Sequence, residues 1–129
     1  MNPSSVSFPK MFRAKQRFDV PACLDIQNAV TTQLNRLGVA ERVQAEQTVA
    51  ITAGSRGIAN IAEIIKATVG FFQKLSARPF IVPAMGSHGG GSADGQQQVL
   101  ASYGITEAYC GCPIRSSMET DVVGQAPEG

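Results

Sequence analysis

The chain has 129 residues, of which 43% are hydrophobic and 16% are charged, and its formal net charge is +1. This length and composition are typical of one soluble globular domain with a core of its own, and the near-neutral charge argues against a nucleic-acid partner. The apolar runs fall well short of the roughly 18 residues that a membrane helix requires, so no membrane partner is expected. Three cysteines and no secretory signal predict free thiols in a reducing, cytoplasmic compartment.

The N-terminal part of the chain predicts an arm, a strand and a helix. Residues 1–10 are rich in serine and proline and are expected to form a flexible arm in front of an α/β domain over residues 11–129. A weak alternation over residues 11–18 indicates a strand. An apolar stripe at helical spacing indicates a helix that starts near Asp19 and ends at Gly38.

The rest of the chain alternates strands and helices. Residues 48–53 predict a strand buried on both faces, because β-branched and apolar residues fill it almost completely. An amphipathic helix is expected over residues 61–75, a second strand over residues 80–84, and a third helix capped by Ser92. Residues 120–124 indicate the start of a third strand.

This order predicts an α/β fold with a small parallel sheet and flanking helices. The sheet is expected to be incomplete at its C-terminal end and to be part of a larger two-domain protein. Cys110 and Cys112 lack the usual two-residue spacing of a zinc site and have no histidine beside them, so no protein-ligated metal is predicted.

Two glycine-rich loops follow the predicted strands, at the sheet edge where parallel α/β folds usually bind ligands. Their members are the candidate site residues Gly54, Ser55, Arg56, Gly57, Gly86, Ser87, His88, Gly89 and Gly90. Glycines let the backbone approach a ligand closely, and the helix after each loop offers free N–H groups to an anion. Arg56 adds a cation for a carboxylate or phosphate, and His88, the only histidine, adds a proton donor or acceptor. The loops therefore predict a site for a small anion.

Three segments resemble the lactate-racemase-like family. They are residues 53–61 with Gly-Ser-Arg-Gly, residues 81–90 with Gly-Ser-His-Gly-Gly, and residues 111–119 with Cys-Pro-Ile-Arg-Ser-Ser-Met-Glu. The resemblance implies the N-terminal part of a nickel-pincer-nucleotide-dependent 2-hydroxyacid racemase or epimerase, an isomerase that acts on a small anionic 2-hydroxyacid. It also implies that His88 exchanges the substrate's hydroxyl proton and that Arg56 helps to hold anionic substrate or cofactor.

The chain departs from that family after the loops. The family's partner histidine, its cofactor-bearing lysine and its nickel-ligating histidine should follow, yet no histidine follows His88 and no lysine follows Lys74. We therefore expect half a site, no turnover by this chain alone, and a partner in either the C-terminal domain of a longer protein or a second copy. Two alternatives stay open: a phosphate- or nucleotide-binding module without catalysis, and a structural domain whose loops only connect elements.

Overall fold

The structure is a computed structural model that describes residues 11–18, 25–55 and 57–124. Its elements, in chain order, are helix α1 (Ile26–Arg36), a 3₁₀ turn (Val39–Glu41), strand β1 (Thr48–Ala53), helix α2 (Ile61–Lys74), strand β2 (Arg78–Pro83), a second 3₁₀ turn (His88–Gly91), helix α3 (Ala93–Ser102) and helix α4 (Glu107–Cys110). The two strands are parallel neighbours, and helices flank them. The predicted α/β fold with a small, open parallel sheet is confirmed.

The sheet is extended beyond β2 by one short segment. Ile81 forms a parallel bridge with Ile114, in which the Ile81 N–H donates to the Pro113 carbonyl at 2.9 Å. The Arg115 N–H donates back to the Ile81 carbonyl at 2.8 Å. The segment around Ile114 thus lies on one side of β2, and β1 lies on the other.

The core lies between the sheet and the helices. Its largest fully buried side chains are Val69 of α2, Ile81 of β2, Leu100 of α3 and Ile105 before α4. Burial of each such aliphatic side chain contributes about 1.5–3 kcal/mol, so these contacts fix α2 and α3 against the sheet. Helix α1 packs on α2 as an outer element and buries none of its own residues completely.

The helices begin where polar caps satisfy free N–H groups. Asp25 caps α1 by accepting from the Asn28 N–H at 2.8 Å, and Ser92 caps α3 by accepting from the Gly95 N–H at 3.1 Å. Each such cap is worth about 1 kcal/mol. The predicted cap at Ser92 is therefore confirmed. The predicted start of the first helix near Asp19 is wrong, because α1 starts at Ile26 after its cap Asp25; Asp19 itself and residues 1–10 lie outside the described residues.

Two predicted strands are wrong, and so is the prediction that β1 is buried on both faces. Residues 11–18 and residues 120–124 form no strand, and Val123 is completely exposed. Alternation without a neighbouring strand does not stabilise extended backbone. In β1, Ala50 and Thr52 are exposed because the described helices cover only the face that holds Ile51. The chain also forms α4, for which the sequence analysis predicts no element.

No helix within the described parts of the chain is long and apolar enough to cross a membrane.

Candidate functional site

The loops after β1 and β2 meet through two side chains. Ser55 Oγ and His88 Nδ1 lie 3.2 Å apart, within hydrogen-bond distance, although the residues are 33 positions apart in the chain. Ser55 is buried and His88 is half-buried. Since β1 and β2 are parallel neighbours, their carboxyl ends reach the same edge of the sheet. The predicted proximity of the two glycine-rich loops is observed at this pair.

The hydrogen bonds of His88 determine which ring nitrogen is available. Nδ1 also lies within hydrogen-bond distance of the Met85 carbonyl oxygen. A carbonyl can only accept, so the proton of the neutral ring belongs on Nδ1, and Nε2 holds the lone pair. Nε2 makes no hydrogen bond to the part of the chain that the structure describes. His88 is therefore held as a ring whose Nε2 can accept a proton.

The turn that contains His88 requires glycine at one position in particular. Gly89 has a φ of 64°, which side chains rarely adopt, and a Cβ there would lie 2.6 Å from the Gln96 backbone nitrogen. The neighbouring Gly90 has a φ of 71° but has nothing within 4 Å of an added Cβ. The loop is therefore packed against α3 at Gly89 and open beside Gly90.

Helix α3 holds the same loop by side-chain hydrogen bonds. The buried Gln96 donates from Nε2 to the Gly86 carbonyl at 2.7 Å, and Ser92 Oγ donates to the Gly89 carbonyl at 3.1 Å. These bonds satisfy carbonyl groups that the tight turn leaves without backbone partners. Sequence analysis missed Gln96; a long amide side chain in the first turns of the helix after a glycine loop is the signal that could have identified it.

A third segment reaches the start of α3. Ser116 Oγ donates to the Ala93 carbonyl at 3.0 Å, which fixes the chain after Ile114 beside the helix N-terminus. Arg115 does not extend alone into solvent, because its guanidinium lies 4.3 Å from the centre of the Phe80 ring. This cation–π contact stabilises the bridge to β2.

The other predicted site residues differ in backbone conformation and in exposure to solvent. Gly57 and Gly86 adopt positive φ, at 69° and 57°, and both are exposed. Gly54 is half-buried, and the side chain of Ser87 makes no capping hydrogen bond. Arg56 lies outside the described residues, so its predicted role stays a prediction.

The described residues do not fit the nickel-pincer cofactor by themselves. Among them, no three side chains of histidine, cysteine, aspartate or glutamate come together as a possible metal cluster. Cys110 and Cys112 are buried in the core, and burial raises the pKa of the Cys112 thiol to about 11, with the nearby Cys110 and Glu107 adding to the shift. Burial also raises the pKa of Cys110. Both thiols are thus protonated at neutral pH.

No family model, curated protein or solved structure matches this chain. A fold of this kind hosts many functions, so function must be inferred from the site.

Proposed function

We propose that this chain forms the proton-transfer part of the active site of a 2-hydroxyacid racemase or epimerase. The observation that supports this proposal most is the orientation of His88, with Nδ1 held by Ser55 and the Met85 carbonyl and with Nε2 making no hydrogen bond to the described residues. When a hydride leaves the α-carbon of a hydroxyacid, the hydroxyl proton must leave as well, so a base is needed beside the hydroxyl. In this proposal, Nε2 of His88 accepts that proton and later returns it.

The substrate's carboxylate needs a cation or N–H donors to orient it. Arg56 directly follows Ser55 in the sequence, and we propose that its guanidinium binds the carboxylate. The N-terminus of α3, with open space beside Gly90, offers further N–H donors to an anion.

The hydride acceptor, which the family resemblance implies to be a nickel-pincer nucleotide, requires groups beyond the described residues. We propose that the C-terminal part of a longer protein, or a second copy, supplies them, and that this chain alone has no turnover. Because Cys110 and Cys112 are free thiols, we also propose a reducing, cytoplasmic compartment.

The test uses the product of the complete reading frame, co-produced with enzymes that build the pincer cofactor. Chiral chromatography then follows the interconversion of the two lactate enantiomers and of related 2-hydroxyacids. We expect His88→Gln to abolish interconversion and Gln98→Ala, on the exposed side of α3, to retain it. Undiminished activity in His88→Gln contradicts the proposed role of His88. Loaded wild-type protein that converts no 2-hydroxyacid contradicts the racemase assignment.

A second candidate function is a phosphate- or nucleotide-binding module without catalysis. It is favoured by the open space beside Gly90 and Gly91 in front of α3. Calorimetry with inorganic phosphate and with a nucleoside monophosphate separates the two functions. A binding module should lose affinity in Arg56→Ala and keep it in His88→Gln, whereas a site without phosphate affinity in the wild type favours the hydroxyacid proposal.

A further inference from the structure

We infer that the free edge of β1 is a self-association surface, at which β1 of two copies pairs antiparallel to form one continuous sheet. In residues 11–18, 25–55 and 57–124, β1 pairs with β2 alone. The other side of β2 is already occupied by the segment around Ile114. The sheet therefore has one edge that the described chain leaves open, and that edge is β1.

The outward backbone N–H and C=O groups of β1 can form hydrogen bonds with a second strand. The Ala53 carbonyl accepts from the Ala84 N–H at 2.8 Å, so Ala53 faces β2. Successive residues of a strand inside a parallel sheet bond to neighbours on alternate sides. The residues that direct both N–H and C=O outward are consequently Thr48, Ala50 and Thr52. These groups form a regular row that matches an antiparallel copy of itself.

The sequence of β1 contains none of the features that prevent such pairing. Natural edge strands usually carry lysine, proline or a bulge that stops another strand from adding. Residues 48–53 read Thr-Val-Ala-Ile-Thr-Ala, without a charge, proline or glycine. The paired register with β2 is continuous from Thr48 to Ala53, without a bulge. The edge is thus unprotected against a second strand.

An apolar groove of 400 Å³ lies beside this edge, between β1 and α2. Helix α2 contributes Ile61, Ile64 and Thr68 to it, and the preceding loop contributes Ile58, which is 51% exposed. None of the residues that line the groove is charged. An exposed apolar surface next to a free strand edge is typical of an interface.

A second copy of this chain fits these features. Antiparallel pairing of β1 with itself requires a two-fold axis perpendicular to the sheet, so each residue of the patch faces the same patch on the other copy. Such an isologous contact excludes clustered like charges, and the groove has no charges at all. The same axis places both α2 helices on one face of the joined sheet, where Ile61 and Ile64 can cover each other.

Sedimentation velocity of the whole chain, from low micromolar to near-millimolar concentration, tests this inference. We expect a reversible monomer–dimer equilibrium in the wild type. Thr52→Pro removes an outward N–H without a hydrogen bond to β2 being lost, and it should give a monomer. Ile58→Lys places a charge in the uncharged groove of each copy and should also give a monomer. Met118→Lys is the matched control, because Met118 is 54% exposed but does not line the groove, and it should still dimerise.

Amide hydrogen exchange gives an independent measurement on the same samples. The outward amides of Ala50 and Thr52 should exchange quickly at low concentration and slowly at high concentration, whereas those of Val49 and Ile51 should stay protected throughout. A wild type that is monomeric at every concentration overturns the inference. So does a dimer that persists in both folded variants. Protection of Ala50 and Thr52 in a monomer overturns it as well, because another segment of the same chain then covers the edge.

Discussion

Replacement of Gly95 by alanine should destabilise the protein, although alanine is the better helix former. Gly95 lies in α3, and a Cβ there would lie 2.7 Å from the Gly89 carbonyl carbon and 2.8 Å from Ser92 Oγ. Backbone atoms cannot rotate away, so the loop that contains His88 must shift. Over-packing of this kind costs about 1–3 kcal/mol, whereas loss of a helical glycine gains at most about 1 kcal/mol. We therefore expect the free energy of unfolding to fall by about 1–2 kcal/mol.

Gly70→Ala is the matched control for this change. Gly70 lies within α2, and nothing lies within 4 Å of an added Cβ, so the substitution should stabilise the protein by about 0.5–1 kcal/mol. Urea unfolding followed by circular dichroism measures both variants. If Gly95→Ala were as stabilising as Gly70→Ala, the close approach of the loop to α3 would be wrong, and the position assigned to His88 would be wrong with it.

Three further changes test the site and the core. Ser55→Ala leaves His88 Nδ1 bonded to backbone alone; we expect about 1 kcal/mol less stability in urea unfolding and, in loaded enzyme, a lower kcat with little change in KM. Gln96→Ala leaves the Gly86 carbonyl without its partner and should cost about 1–3 kcal/mol by the same assay. The third test concerns Cys112, whose pKa burial raises from 9.0 to about 11. Because the unfolded thiol ionises first as pH rises, the unfolded state binds fewer protons in this window, and stability should fall between pH 9 and 11. Cys112→Ala should reduce that fall by about 2–3 kcal/mol; an unchanged fall would contradict the raised pKa.

Local sequence signals predicted the elements that bury their own periodic faces. The apolar run at residues 48–53 and the stripe that begins at Ile61 correspond to β1 and α2 with nearly the same bounds. The sequence-based prediction was wrong where an element depends on a neighbouring strand, because the local residue pattern does not show whether such a strand is present. Residues 11–18 alternate but have no neighbouring strand, whereas Ile114 joins the sheet by one bridge that no periodicity marks.

The candidate site was likewise predictable only in part, because some of its contacts join residues that are far apart in the sequence. Sequence placed both glycine loops at one edge of the sheet, because parallel strands end together. It could not show that Ser55 lies within hydrogen-bond distance of His88 Nδ1, since this contact joins residues 33 positions apart.

The contact between the loops depends on the register of β1 against β2. Ala53 lies opposite Pro83, and Ser55 and His88 follow these residues in their loops. A slip of one residue would turn every side chain of β1 to the opposite face and would carry Ser55 away from the histidine ring. The hydrogen bonds of β1 to β2 and the burial of Ile51 hold β1 in register. They therefore also keep Ser55 beside Nδ1 of His88.

Since β1 has a neighbour on one side only in the described chain, pairing of its free edge with a second copy would stabilise the strand that positions Ser55. Ser55 and the dimer edge should consequently be coupled: Thr52→Pro should weaken the Ser55–His88 contact as well as the dimer, and the ¹⁵N shifts of the His88 ring would report that change.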